Sequence, residues 1–271
     1  MIVEIGEIKI GENLPLVLIA GPCVIENREI TFYTAERIFD ISKKLRIPFI
    51  FKSSFKKANR TSLNSFTGLE LKEALNILND IKQKLNVPIL TDVHTEKDIS
   101  EVSEVVDILQ IPAFLCRQTD LLIAAGKSKK IVNVKKGQFL APEDIMHAIN
   151  KIESAGNKNI FLTERGTTFG YHNLVVDMRS LVIMKEFGYP IVMDATHSVQ
   201  MPSNSNVTDG QPQFIEPLSK AAAAIGINAL FLEVHPDPQN ALSDAGSQLH
   251  IDKLEPLLKN VIAIDKVVKG Y

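Results

Sequence analysis

The chain is poor in cysteine and has no excess of charge. Of its 271 residues only two are cysteines, Cys23 and Cys116, far apart in sequence. That excludes a disulfide framework or a zinc-finger spacing, and reduced, cytoplasmic thiols are the expectation. Thirty Lys and Arg stand against 32 Asp and Glu, a net charge of −2. No overall positive field exists to attract nucleic acid or an anionic membrane. No apolar run approaches the ~20 residues of a membrane-spanning helix. The opening "MIVEIGEIKIGEN" alternates and carries Glu4, Glu7 and Glu12, unlike a signal peptide. No low-complexity linker divides the chain, so residues 1–271 are expected to form a single domain. The 45% hydrophobic content supports a sizeable core.

What is present is a repeated alternation. Short apolar, β-branched runs predict strands at 16–23, 48–54, 88–94, 108–113, 131–136, 160–165, 191–197 and 230–235. Apolar spacings of three and four predict helices at 34–45, 69–85, 141–152, 217–226 and 254–268, with a short one at 120–126. Residues 198–213 read as a long loop. Strands without polar alternation are buried on both faces, and eight of them alternating with helices predict a (β/α)8 TIM barrel. An open doubly wound sheet is the alternative, and it would gather ligand residues at one switch point. Residues 1–13 read as an N-terminal β-hairpin closing the barrel bottom, with "GEN" (11–13) as its turn.

In a barrel, chemistry gathers where strands end. Those ends offer Cys23; Lys52, with Lys57, Asn59 and Arg60 beyond it; Asp92 and His94; Gln110, with Arg117 beyond it; Lys135 and Lys136; Glu164 and Arg165; Asp194 and His197; and Glu233 and His235, followed by Asp237 and Asp244. Lys52, Lys57, Arg60, Arg117, Lys135 and Arg165 around one mouth would repel one another unless a highly charged anion joined them. Two phosphorylated ligands, or one that also carries a carboxylate, would balance them. Cys23, His197, Glu233 and Asp244 supply a thiolate, an imidazole and two carboxylates, a donor set that suits a divalent transition metal. Taken singly, Cys23 reads equally as a small buried residue and His197 as a hydrogen-bonded core histidine. His94 and His235 are proton carriers or hydrogen-bonded strand ends, and Cys116 is expected in the core.

The segments "GPCVIE", "KSSFKKANRTS", "TDVH", "QIPAFLCRQTDLL", "NVKKGQFLAP", "LTERGTTFGYHNLVVDMRS", "DATHSVQ" and "LEVHPDP" carry a family likeness. From about residue 16 to the end the sequence resembles the KDO-8-phosphate synthase family. The resemblance implies condensation of phosphoenolpyruvate with D-arabinose 5-phosphate to give 3-deoxy-D-manno-octulosonate 8-phosphate and phosphate, a step of lipopolysaccharide biosynthesis. It also implies a cytoplasmic homotetramer. By motif, Lys52, Lys57, Lys135 and Arg165 would hold phosphoenolpyruvate, with Gln110 and the backbone near Ala113 beside it. Asn59 would meet the pentose hydroxyls. Arg60 and Thr61 would take its phosphate, with Arg117 reaching in from a neighbouring subunit. Asp92 would lie by the sugar, and Lys57, Lys135, Asp92 and His197 would be the catalytic groups. The metal-independent branch has Asn where this chain has Cys23, so the likeness implies a divalent metal (Zn, Fe, Mn or Co) on Cys23, His197, Glu233 and Asp244. Two positions depart from the usual pattern, Lys56 for Asp and Thr61 for Ser. Three other readings stand beside this one: the sister synthase that uses erythrose 4-phosphate, a Schiff-base aldolase on Lys135 or Lys52, and a non-catalytic phosphosugar-binding barrel.

Overall fold

Eight strands of this chain are buried on both faces, and successive side chains in a strand point to opposite sides. Only a layered arrangement satisfies both faces at once. The computed structural model describes residues 1–58, 66–201 and 209–271. In chain order the described elements are β1 (Ile2–Ile5), β2 (Ile8–Gly11), β3 (Val17–Gly21), α1 (Arg28–Leu45), β4 (Phe49–Lys52), α2 (Leu71–Leu85), β5 (Ile89–Asp92), α3 (Glu96–Val105), β6 (Ile108–Ile111), α4 (Thr119–Lys127), β7 (Ile131–Lys135), α5 (Met146–Ser154) and β8 (Ile160–Glu164). There follow β9 (Thr167–Thr168), β10 (Leu174–Val175), α6 (Met178–Lys185), β11 (Ile191–Asp194), β12 (Gln200–Met201), β13 (Asp209–Gly210), α7 (Ile215–Ile225), β14 (Ala229–His235), β15 (Leu249–His250) and α8 (Leu254–Lys269).

The parallel strands β3 to β8, β11 and β14 pair in sequence order, and β14 pairs back with β3. The ring is closed, which is the expected TIM barrel and rules out the open sheet. None of the described helices is long and apolar enough to cross a membrane.

Strand parity then decides what faces the lumen. Val17, Ile19, Ile50, Leu90, Ile108, Ile131, Phe161, Val192, Ala229 and Phe231 form the inner core, while Leu18, Phe51, Ile89, Leu109, Leu162, Met193 and Leu230 pack outward under the helices. Two residues beyond an inward apolar residue comes another inward residue. Those positions are Lys52, Asp92, Gln110, Asn133, Thr163, Asp194 and Glu233. The lumen is therefore apolar below and polar above, and the polar layer lies at the C-terminal ends of the strands.

The N-terminal pair β1–β2 is antiparallel. Its Val3, Ile5 and Ile10 belong to the inner core with the first residues of β6 and β7, so the hairpin covers the end of the barrel away from the polar layer. The turn differs from expectation. It falls at Gly6–Glu7, where Ile5 faces Ile8, and Gly6 takes φ +57°. Residues 11–13 instead lead into the barrel. A Cβ on Gly11 would lie 2.1 Å from the Met1 carbonyl oxygen, so glycine is required there for close approach rather than for the turn.

Helices α3 and α6 were not expected. Among the ten residues of α3 only Ile99 and Val102 are buried, too few for a periodic stripe, and its start is set by a capping box between Thr95 and Asp98. Helix α6 has eight residues and begins at the Asp177 cap. Helix α1 starts six residues earlier than the spacing suggested, because Asn27 accepts the Ile30 N–H and caps it there. The expected loop at 198–213 contains the short antiparallel pair β12–β13; residues 202–208 lie outside the described residues.

The last helix is tied to the first barrel strand by one carboxylate. Fully buried Asp265 accepts the Leu16 N–H at 2.9 Å and the Tyr271 hydroxyl at 2.7 Å, and pairs with Lys269 at 2.7 Å. Asp265→Ala should lower the unfolding free energy by about 3–5 kcal/mol in a urea titration, the usual cost of stranding a buried partner. Asp265→Asn, which can still accept from Leu16, should cost clearly less.

Candidate active site

The polar upper layer is a network of charges held by ion pairs and hydrogen bonds. Glu233, on β14, is at its centre. Its Oε1 lies 2.7 Å from Lys52 Nζ, 3.7 Å from Lys57 Nζ and 3.6 Å from His197 Nε2. Lys52 also donates to the Cys23 carbonyl at 3.1 Å. Strands β3 and β4 come very close here. A Cβ on Gly21 would sit 1.9 Å from the Lys52 carbonyl oxygen, so only glycine lets the turn carrying Cys23 lie against β4.

Asp194, ending β11, organises the next group. Its Oδ2 accepts from Lys135 Nζ at 2.5 Å and lies 2.8 Å from His197 Nδ1. Its Oδ1 accepts the backbone N–H groups of Thr196 and His197 and the Thr196 hydroxyl. An ionised carboxylate only accepts, so the proton of His197 sits on Nδ1. Its Nε2 faces Glu233 Oε1 and Asp244 Oδ2, the latter 3.9 Å away. Below them the Phe231 ring faces the Lys135 ammonium, 3.9 Å from its centroid, and the Lys52 ammonium at 5.4 Å.

Cys23 completes this end of the mouth. Its thiol lies 3.1 Å from Asp244 Oδ2 and 3.3 Å from Ser243 Oγ. The ligand atoms of Cys23, Glu233 and Asp244 all fall within 4.8 Å of one another. The loop bearing Asp244 is held by a second pair. His235 Nδ1 accepts the Asp237 N–H, its Nε2 lies 3.4 Å from Glu26 Oε1, and that oxygen accepts the Leu242 N–H.

Just beyond β8, which pairs with β11, Arg165 donates through Nη2 to Gln200 at 2.7 Å, while its Nη1 is buried without a partner among the described residues. Glu164 holds the turn in place. It accepts from the N–H groups of Arg165 and Gly166 and from the Ser180 hydroxyl, and lies 3.6 Å from Lys136 Nζ. Asp92 accepts from Ser54 and, at 2.5 Å, from Gln110.

The electrostatics follow from burial and neighbours. Burial pushes Asp194 up, but His197 and Lys135 overrule it and hold the carboxyl well below its usual range. Burial likewise opposes Glu233 and Asp92, and the surrounding cations, Lys52 and Lys57 among them, hold both low. Lys135 and Arg165 are pulled down by burial against nearby carboxylates. For Lys57 burial also acts downward, but Cys23, Glu233, Asp92 and Asp244 raise it well above the ordinary lysine value. Burial, then the charges of Asp244 and Glu233, push the Cys23 thiol well up.

The structure thus brings Cys23, Lys52, Lys57, Asp92, Gln110, Lys135, Arg165, His197, Glu233 and Asp244 to one mouth. Ala113 is buried in the 3-10 turn after β6. Arg117 is exposed on this chain. Asn59, Arg60 and Thr61 lie outside the described residues. His94 ends near Phe55, its Nδ1 buried and unpartnered, and Cys116 is buried in the outer core. The sequence reading gave no role to Asp194 or Glu164. The Asp-x-x-His spacing of "DATH" was the available signal for the first; nothing marked the second beyond its strand-end position.

The depressed carboxylates stabilise the fold above their unfolded values near 4 and lose that contribution as pH falls through and below that range. Asp194→Asn should therefore cost about 3–5 kcal/mol at pH 7. Urea titrations at a series of pH values should show the gap to wild type narrowing below about pH 4.

Comparison with known proteins agrees with this geometry. The family model described as "DAHP synthetase I family" matches residues 1–269. Curated relatives include the 2-dehydro-3-deoxyphosphooctonate aldolases of Geobacter metallireducens (54% identical), Geotalea uraniireducens (53%) and Trichlorobacter lovleyi (52%). Each alignment covers 98% of this chain and 98% of the relative. By its barrel, its ring of inward charges and these alignments, the chain belongs to the DAHP synthetase I family, among its 2-dehydro-3-deoxyphosphooctonate aldolases.

Proposed function

We propose that the chain condenses phosphoenolpyruvate with D-arabinose 5-phosphate and water, giving 3-deoxy-D-manno-octulosonate 8-phosphate and inorganic phosphate for lipopolysaccharide synthesis. The observation that carries this is the identity of 51–54% with aldolases of that name over nearly the full length of both chains. The polar mouth supports it with the charge such substrates require. Two phosphates and a carboxylate are answered by Lys52, Lys57, Lys135 and Arg165, with Arg60 and Arg117 as further cations in the sequence.

The roles follow the family likeness, and the contacts of the described residues support them. Arg165, with Nη1 unpartnered, Lys135 and Lys52 grip phosphoenolpyruvate, and Gln110 and the backbone near Ala113 border it. Asn59 meets the pentose hydroxyls, Arg60 and Thr61 receive the pentose phosphate, and Asp92 faces the sugar. C3 of phosphoenolpyruvate attacks the aldehyde carbon of the open-chain pentose, forming the new C–C bond. Lys57, kept protonated by its carboxylate neighbours, gives a proton to the resulting alkoxide. Water adds at C2, and cleavage of the C2–O bond then releases phosphate.

The same residues suit the metal-dependent branch. Glu233 Oε2 is buried without a partner. The Cys23 thiol and the Asp244 carboxylate converge beside it, and His197 Nε2 turns toward them, steadied through Nδ1 by Asp194 as metal-binding histidines generally are. Cys23, His197, Glu233 and Asp244 would hold a divalent ion (Zn, Fe, Mn or Co), and such an ion supplies a Lewis acid for the aldehyde oxygen. Family likeness also supports a cytoplasmic homotetramer, in which exposed Arg117 reaches a neighbour's mouth.

A second reading comes from the matching family model, whose description names DAHP synthetase. In that case erythrose 4-phosphate replaces the pentose. Phosphate release assayed with each aldose separates the two: turnover with arabinose 5-phosphate is expected, and turnover with erythrose 4-phosphate alone would refute the proposal. Chelated, verified metal-free enzyme should be inactive and regain activity with added divalent ion. Cys23→Ala should lose more than about 100-fold in kcat/KM, and full turnover in either form would remove the metal's role.

A further inference from the structure

Beneath the charged mouth runs a chain of buried side chains that ends on Asp92, and the sequence reading assigned no role to two of them, Thr163 and Asn133. It crosses the barrel wall from β8 to the loop after β4. The Thr163 hydroxyl donates to Asn133 Oδ1 at 2.6 Å. Asn133 Nδ2 donates to Gln110 Oε1 at 2.8 Å. Gln110 Nε2 donates to Asp92 Oδ1 at 2.5 Å, and Asp92 Oδ2 accepts from Ser54. All five side chains are buried, Thr163 and Asn133 completely.

This chain has only one consistent direction. Asp92 is ionised beside Lys52 and Lys57 and can only accept. Gln110 must therefore turn its NH2 toward Asp92 and its carbonyl toward Asn133. Asn133 must then present its NH2 to Gln110 and its carbonyl to β8, where Thr163 donates. Turning Gln110 over would set like against like on both sides, and turning Asn133 over would set its carbonyl against that of Gln110, in a buried place where an unmet polar group is costly. With its carbonyl and one N–H engaged, Gln110 has a single N–H left. Toward anything bound in the mouth it is a donor of fixed aim.

We propose that Thr163 and Asn133 are positioning residues that act through Gln110, fixing its free N–H to donate to phosphoenolpyruvate. The proposal rests on the reaction given above, and it assigns a role to two side chains on strands that carry other machinery. Parity explains why they can fill it. Thr163 follows Phe161 and Asn133 follows Ile131 by two, so both face the lumen, one inward position before Arg165 and Lys135 on the same strands.

The test uses four full-length variants: Thr163→Val, which keeps the side-chain shape, Thr163→Ser, which keeps the hydroxyl, Asn133→Ala, and the double Thr163→Val/Asn133→Ala. Folding is checked by circular dichroism and thermal melting. Steady-state phosphate release gives kcat and KM. Calorimetric titration of phosphoenolpyruvate without the aldose gives Kd. Thr163→Val and Asn133→Ala should each raise KM and Kd for phosphoenolpyruvate about tenfold, with kcat within about threefold of wild type. Thr163→Ser should stay within about twofold. The double variant should be no worse than Asn133→Ala alone, because both changes break one chain.

Folded single variants with wild-type KM and Kd, even if less thermostable, would overturn the proposal, as would penalties that multiply in the double variant. If Thr163→Val does not fold, Asn133→Ala reads the same chain at its next link. Wild-type protein that binds phosphoenolpyruvate but releases no phosphate with arabinose 5-phosphate would contradict the reaction alone. In that event the titration still decides the role of the chain.

Discussion

A carboxylate with almost no solvent exposure must be answered by charge or hydrogen bonds, and Glu233 is that carboxylate. Desolvation of such an ion costs several kcal/mol. Here Lys52, Lys57 and His197 all approach the one oxygen Oε1, while Oε2 has no partner. Removing Glu233 would take from buried Lys52 its hydrogen-bonded carboxylate and leave it the Cys23 carbonyl, the Phe231 face and the charge of Asp92. The positions of Cys23, Asp244 and His197 then follow, since each surrounds this carboxylate from a different strand end.

The same constraint separates the barrel's two jobs. Below, period-two parity fills the lumen with Ile, Val and Phe, and the hairpin covers that end. Above, the next inward position on the strands is polar, and every polar group there has a reason to be held still. Asp194 fixes the imidazole, Glu164 fixes the turn before Arg165, and the Glu26–His235 pair steadies the loop bearing Asp244. Stability and function are thus drawn from the same strands at different heights, which is how a rigid apolar base can support a mouth crowded with like charges.

Much of this was legible in the residues themselves. The eight strands announced themselves because burial on both faces leaves unbroken apolar runs, and the ends of those runs gave Lys52, Asp92, Gln110, Lys135, Arg165 and Glu233 directly. Helix α3 was not legible from periodicity, since Ile99 and Val102 are too few to make a stripe, although Thr95 and Asp98 did spell its cap. The hairpin turn was misplaced because Gly11 looked like a turn glycine, whereas its lack of a side chain serves the close approach of Met1. Asp194 and Glu164 were visible as strand ends, but their roles depend on backbone N–H groups and on partners from other strands. Which groups meet is a property of the closed ring, and a one-dimensional pattern does not contain it. The direction of the Thr163–Asn133–Gln110–Asp92 chain was hidden for the same reason.

In the proposed function the Glu233-centred mouth is a single built site for a divalent ion beside an anion grip. Anomalous diffraction from crystals loaded with zinc and phosphoenolpyruvate tests it most directly. One strong metal peak is predicted, bonded at about 2.0–2.3 Å to Cys23 Sγ, His197 Nε2 and carboxylate oxygens of Glu233 and Asp244, with the phosphoester against Arg165 and Lys135. A peak elsewhere on the molecule, with Cys23 still lying against Asp244, would contradict it.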